Sequence, residues 1–362
     1  MAEQAAFVLW PNGPLRFGDH PRDARRVSAF PRSDTLFGAL CWARRARLGD
    51  AALRNWLDGY RNGDPPLLLS SGLPVLETEE GRQFLIPGPI RQPPGADRRE
   101  ARTTTAERKR FKGVRWIDPD LLALFKGGES ESARRGPALL ASTANARYQP
   151  RADDRHARRP ERTRNSGPLW DEDAPRARVA IDRETSAGNL FAVTSAWLPR
   201  GHGQRVGIGL LVEARDAGQV RDLEGDLDLL AEAGIGGDRS IGAGGFAWES
   251  VALPFGFGAA PRGLALSLVW PGNLATDDLA RLLEVPPDRG YRLVERMGWI
   301  ASPEWQDARG QSVAMLEEGS YVHAGGAAPV GGLAEVTPPG RPDGHHPVYR
   351  YGFGLFLDEG RA

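Results

Sequence analysis

Along the chain, apolar positions alternate between two regimes. Residues 7–11 form a short apolar run that predicts a strand. From Ser33 the spacing becomes helical, with Leu36, Phe37, Leu40, Cys41 and Leu48 on one face. Ser33 stands where an N-cap belongs, Asp34 suits the positive N-terminal end, and Arg44, Arg45 and Arg47 lie toward the negative end. Residues 67–69 and 73–76 read as strands broken by Ser70-Ser71-Gly72, and residues 206–212 as another. Val220, Leu223, Leu227 and Leu230 then mark a helix over 219–233, followed by a strand over 245–253. Strand, helix, strand, strand, helix, strand is the order of a ferredoxin-like unit, which is also that of the RNA-recognition motif.

The pattern begins again after a Pro/Gly joint at 254–263. Strands are expected over 264–270, 291–300, 313–322 and 349–357, with a helix over 276–283. The expected fold class is therefore α+β: two tandem ferredoxin-like (RNA-recognition-motif-like) domains, the first interrupted by a long arginine-rich insertion. The first domain spans 1–255 and carries a glycine-rich loop at 234–245 and the insertion at about 80–190. The second, degenerate domain spans 256–362.

Charge sharpens the picture of the insertion. The whole chain balances 47 Lys or Arg against 47 Asp or Glu. Residues 91–164 hold nineteen basic against ten acidic residues, and the only lysines of the chain are Lys109, Lys112 and Lys126. Guanidinium forks match phosphates and stack on bases, so an arginine-rich insertion suits RNA or DNA. The bland alternative is a solvated loop. Residues 145–165 carry seven arginines and almost no large apolar side chains, which predicts disorder in the free protein. Residues 178–193 read as an extended segment or hairpin.

Composition bounds the class. Hydrophobic residues make up 40% of the 362 and charged residues 26%, ordinary for a globular protein. No apolar run is long enough for a membrane span, and Met-Ala-Glu-Gln lacks the basic start of a signal peptide. A cytoplasmic protein with no membrane partner is expected. The single cysteine, Cys41, excludes an internal disulfide framework, and its place on an apolar helical face predicts burial.

Residues 234–245 put six glycines and Arg239 into twelve positions. In a dinucleotide fold such glycines would follow a strand and open a helix; here a helix precedes them. A mononucleotide P-loop would need Lys-Ser or Lys-Thr after Gly242, where the chain has Ala243-Gly244. Two readings remain: a tract that follows a phosphodiester backbone, or a tight connection with no ligand.

Four strings occur in an order that resembles one family. They are 33–40 (Ser-Asp-Thr-Leu-Phe-Gly-Ala-Leu), 181–185 (Ile-Asp-Arg-Glu-Thr) with Leu190-Phe191, 234–242 (Gly-Ile-Gly-Gly-Asp-Arg-Ser-Ile-Gly) and 346–352 (His-Pro-Val-Tyr-Arg-Tyr-Gly). Together they are similar to the RAMP-superfamily subunit of type III-A CRISPR (Csm) effector complexes that caps the 5′ end of the guide RNA. The resemblance implies a non-catalytic RNA-binding subunit that holds the repeat-derived 5′ handle of the CRISPR RNA. Its implied partners are the large polymerase-like subunit and the repeating RAMP backbone subunit, with target RNA met indirectly. No cofactor and no metal is implied.

Carried over by position, the resemblance implies handle contacts at Gly236, Gly237, Arg239, Ser240, Gly242, Gly244 and Gly245, with backbone N–H groups facing phosphates and Arg239 supplying charge. For Arg239 the alternative is an ion pair with the acidic helix. The segment 238–240 (Asp-Arg-Ser) departs from the lysine-containing version of this loop. Ser33 and Asp34 lie at a helix N-terminus, where Ser33 either bonds RNA or caps the helix. Arg16, Arg22, Arg25, Arg26 and Arg32 precede it and suit phosphates or solvent equally. Arg183 and Thr185 sit near the segment that would meet the guide. Trp170 and Phe191 could stack on bases, with core packing favoured for Phe191. The helix with Asp222, Glu224, Asp226, Asp228 and Glu232 reads as protein-facing or solvated.

Two other classes compete. Some RAMP proteins are metal-independent endoribonucleases, for which His20 is the candidate base, although its basic neighbours are arginines that keep their protons. The third class is a structural subunit whose loop docks a protein. His345 and His346 have no third ligand in the sequence nearby, so no metal site is expected.

Overall fold

The computed structural model describes residues 2–18, 26–79, 81–90, 114–119, 122, 140–142, 146–148, 169–201, 204–259, 262–272, 274–284, 289–305, 308–323, 329–340 and 344–358. The first part contains β1 (Glu3–Pro11), α1 (Ser33–Arg61), β2 (Leu67–Leu69), β3 (Leu73–Thr78), β4 (Gly81–Phe84), β5 (Asp171–Ile181), β6 (Gly188–Trp197), β7 (Gln204–Ala214), α2 (Ala217–Ala233) and β8 (Phe246–Val251). The main sheet runs β8-β1-β7-β3-β4, with β2 also pairing β7. Every neighbouring pair in that order is antiparallel. β1 lies inside the sheet and is buried continuously from Phe7 to Pro11, as a strand covered on both faces must be.

The helices are set by local chemistry. Asp216 caps α2, accepting the N–H groups of Gly218 (2.8 Å) and Gln219 (3.1 Å), and Gly234 at φ 77° ends it. In α1 the N-cap is Arg32, not Ser33, and it makes no side-chain capping bond. Gly49, at φ 84°, kinks α1, which takes Leu48 off the expected apolar face and leaves it 46% exposed. Cys41 is half-buried, and burial pushes its thiol well above the usual range.

A buried ion triad joins the two helices. Arg44 donates through Nε and Nη2 to Asp226 at 3.0 and 2.9 Å, and Arg47 through Nη1 at 2.5 Å. Asp226 is fully buried, so this member of the acidic set is a packing residue rather than a solvated one.

The second part is built from short pairs. β9 (Arg262–Leu264), α3 (Thr276–Leu282), β10 (Leu293–Arg296), β11 (Val313–Leu316), β12 (Tyr321–His323), β13 (Gly331–Glu335) and β14 (Tyr349–Phe353) follow in order. β9 pairs β12, β10 pairs β11, and β13 pairs β14. The single strand expected over 313–322 is two strands, because Gly319 at φ 84° turns the chain between them. Residues 265–269 are buried throughout yet bridge their neighbours at single positions only, Ala265 with Phe356 and Val269 with Leu316.

One core cluster crosses residues 254–263, while two smaller clusters lie wholly within 265–356. The first contains the main sheet, α1 and α2 together with Tyr351, Phe353, Leu355 and Leu357. Phe37 lies 5.1 Å from Tyr351 and Tyr60 lies 5.7 Å from Phe353, ring to ring. The N–H of Leu69 donates to the Tyr351 hydroxyl at 2.9 Å. Within the insertion, strands Ile86–Pro87, Val114–Ile117, Leu140–Ser142 and Ala146–Tyr148 pair into a small antiparallel sheet. Of the stretch expected to be disordered, 146–148 is thus a strand; 145 and 149–165 lie outside the described residues.

Candidate nucleic-acid interface

The glycine loop is stapled to the segment that follows β1. Asn12 donates its N–H to Gly245 O (2.8 Å), Gly244 to Pro14 O (2.9 Å), Gly237 to Arg16 O (2.9 Å) and Ile235 to Gly244 O (3.0 Å). Gly242 donates to Arg239 O at 3.0 Å. The N–H groups of Gly237, Gly242 and Gly244 are therefore used within the chain, which corrects the expectation that they face phosphates. Three of the glycines are required by space. A Cβ at Gly234 (φ 77°) would lie 2.7 Å from the Ala243 carbonyl oxygen. A Cβ at Gly244 (φ 81°) would lie 2.1 Å from the Ile235 carbonyl oxygen, and one at Gly236 (φ 86°) 2.7 Å from that of Arg16.

What the loop presents outward is a 3₁₀ turn, Arg239–Ile241, held between Asp238 and Gly242, both left-handed. Ser240 is exposed and Ile241 is 63% exposed. The Arg239 guanidinium lies over the Trp42 indole, 5.2 Å from its centroid. Among the described residues no carboxylate pairs with Arg239, so the ion pair with the acidic helix does not form there. Trp42, Ala233, Gly236, Asp238, Arg239 and Ser240 line an open concavity of about 500 Å³. Trp42 was not singled out from sequence; it sits beside Cys41 on α1, and the Arg44–Arg47–Asp226 triad fixes α1 against α2 to bring it under the loop.

The strands β5 and β6 form a hairpin beside this loop, longer than expected, with Arg178 opposite Phe191 and Val179 opposite Leu190. Its tip projects: Val179 is 58%, Ile181 68% and Leu190 70% exposed. At the turn, Asp182 accepts the N–H groups of Glu184 (2.9 Å) and Thr185 (2.8 Å), which hold its carboxyl below the usual range. Arg183 and Thr185 are exposed there. Phe191 is 43% exposed and so is not core, whereas Trp170, 1% exposed and edge-on to Phe30 at 4.9 Å, is.

Residues 259–358 match the family model of the CRISPR Csm4 C-terminal domain. The whole chain shares its fold with chains of solved complexes. One, in the crystal structure of a Csm3-Csm4 subcomplex of the type III-A CRISPR-Cas interference complex, is 17% identical with a TM-score of 0.56, over 98% of this chain and 99% of that one. Another, in a Csm1-Csm4 cassette with AMPPNP, is 16% identical with a TM-score of 0.52, over 98% of each chain. A third, in the same cassette with pppApA, is 17% identical with a TM-score of 0.52, again over 98% of each. No curated protein matches the chain in sequence.

Residues of the 259–358 region bond three of the residues expected at RNA. Asp34 is buried and receives Arg296 Nε and Nη2 at 3.0 Å each and Arg350 Nη1 at 2.6 Å. Burial works against its charge, but the two guanidiniums prevail and hold the carboxyl well below the usual carboxylate range. Arg32, 8% exposed, donates to Glu318 at 2.5 Å and Glu317 at 3.0 Å. Ser33, 0% exposed, accepts the N–H of Leu268 through its hydroxyl at 3.1 Å. Arg32, Ser33 and Asp34 thus bond the 259–358 region to α1, and all three are buried.

Arg16 points instead at Asp238, 3.4 Å away. Arg26 is exposed, while His20, Arg22 and Arg25 lie outside the described residues. His346 Nε2 meets Ser302 Oγ at 2.8 Å, and His345 packs against Trp305 at 5.0 Å. Among the described residues no group of three or more His, Cys, Asp or Glu could hold a metal.

Proposed function

We propose that this chain is the non-catalytic subunit that caps the repeat-derived 5′ handle of a CRISPR RNA in a type III-A interference complex. In that role it bridges a large polymerase-like subunit and the repeating backbone subunit in the cytoplasm, and meets target RNA only through the assembly. The solved complexes whose fold it shares pair Csm4 with Csm1 and with Csm3, which supports these two neighbours. The order β8-β1-β7-β3 with α1 and α2 between strands supports a ferredoxin-like reading of residues 1–255. We read 256–362 as the second, degenerate unit.

The observation that carries the reading is the concavity where Arg239 overlies Trp42 beside Ser240, next to a projecting hairpin. A guanidinium offers a phosphate two donors, an indole offers a base a face, and a hydroxyl offers either a further bond. Backbone N–H groups contribute less than the sequence suggested, because the loop spends several of them on itself. Side chains therefore carry the contact, and Arg239, Ser240 and Trp42 lead it, with Arg183 and Thr185 reaching the guide from the hairpin.

Retention of handle RNA by the purified complex, measured against salt, tests this. Arg239→Glu is expected to weaken retention and to reduce the slope of log K against log salt by about 0.7, one single-strand phosphate contact. Unchanged retention would remove the loop from the interface.

A further inference from the structure

Asp238 is one of two non-glycine residues with positive φ among those described, at φ 63°. Its carboxylate is the meeting point of two guanidiniums. Arg178 donates through Nη1 to Oδ1 at 3.1 Å and through Nη2 to Oδ2 at 2.7 Å, a two-bond fork. Arg16 Nη1 approaches the same two oxygens at 3.5 and 3.4 Å. Burial disfavours the charge of Asp238, yet the fork from Arg178 and the nearby Arg16 hold its carboxyl below the usual range. With side-chain exposures of 15% for Asp238 and 27% for Arg178, the pair is shielded enough for its geometry to matter.

Where Arg178 stands in the hairpin gives this pair its meaning. The base of the hairpin is fixed to the body: Leu15 and Ala196 exchange two backbone bonds of 2.8 Å each, and Val193 and Trp170 are buried. Beyond Arg178 the side chains of Val179, Ile181 and Leu190 stand in solvent. The exposed part of the hairpin begins already at Pro175 and Ala192, so Arg178 stands part-way between the anchored base and the tip. A lever held only at its base swings; one held also at its midpoint points in a set direction.

We propose that Asp238 is a positioning residue: through Arg178 it latches the 171–197 hairpin to the glycine loop and fixes the direction in which the tip projects beside the Arg239–Trp42 concavity. The left-handed backbone at 238, which Asp and Asn tolerate better than most side chains, aims the carboxylate at the hairpin. That the latched direction serves RNA rests on the proposed function; the latch itself does not.

Hydrogen exchange of the purified protein without RNA separates the two. Asp238→Asn keeps the left-handed backbone and the side-chain shape but removes the charge. We expect amides of the outer hairpin, residues 177–192, to exchange several-fold faster in this variant while β1 and β7 are unchanged. Arg178→Ala, made outside the loop, should give the same local effect even if the loop variant folds poorly. The double variant should be no faster than Arg178→Ala alone, since the same Arg178–Asp238 contact is weakened or removed in all three. Unchanged hairpin exchange in both single variants, or additive effects in the double, would overturn the latch. Loss of RNA retention by Arg239→Glu is independent of this readout, so either idea can fail alone.

Discussion

Asp34 shows how one residue type serves two readings. A carboxylate after a serine at a helix start suits a cap or a ligand site, and only the fold reveals that Arg296 and Arg350 converge on it from the far end of the chain. Removing one partner of such a buried set leaves uncompensated charge, so Asp34→Asn is expected to cost about 3–5 kcal/mol at neutral pH, read by denaturant unfolding. The folded-state carboxyl is held low, so its contribution is present above the ordinary carboxylate range and fades as pH falls below about 4. The difference between wild type and Asp34→Asn should therefore shrink in acid; a difference that grows there would contradict the assignment. At the concavity, Trp42→Ala should weaken handle RNA by about 1–3 kcal/mol if one base stacks on the indole. Nothing in the local pattern marked Trp42, because an aromatic on the flank of an apolar helix face reads as core.

At the scale of elements, periodicity revealed most of what local energetics decide. Both long helices and the strands of the main sheet apart from β4 follow from apolar spacing, because burial dictates it, whereas the hairpin around 178–193, read as extended or hairpin, is largely exposed. Spacing did not reveal the Gly49 kink, which depends on one backbone angle, nor the internal use of the loop N–H groups, whose acceptors Pro14 and Arg16 lie on another segment. The glycine loop allows a paired test. Gly242→Ala meets no atom within 4 Å and should cost only the left-handed penalty, about 1–2 kcal/mol. Gly244→Ala bears the same penalty and also drives a methyl group onto the Ile235 carbonyl, so it should destabilise the protein clearly more. Equal losses in thermal unfolding would mean that the loop packs less tightly on itself than its bonds indicate.

For the whole molecule, the shared core matters most. A break at the Pro/Gly stretch looks natural in the sequence, where turn residues separate two runs of elements. Tyr351 and Phe353 pack on Phe37 and Tyr60 of α1, and the ion pairs of Arg32 and Asp34 join the 259–358 region to the same helix. Such long-range pairings leave no local signature. Tyr351→Phe should cost about 1–3 kcal/mol by stranding the Leu69 N–H, and the wild type should unfold in one transition; two separate transitions would show that the parts are independent. The functional claim is also a claim about the whole molecule, since loop, hairpin and neighbours act together only in an assembly. It is tested most directly by purifying the tagged protein from its native host, identifying its partners by mass spectrometry and sequencing the 5′ ends of the RNA it carries. A uniform repeat-derived 5′ end, recovered with a large polymerase-like subunit and RAMP backbone subunits, is the predicted result. Random RNA ends, or no RNA and unrelated partners, would contradict the capping role.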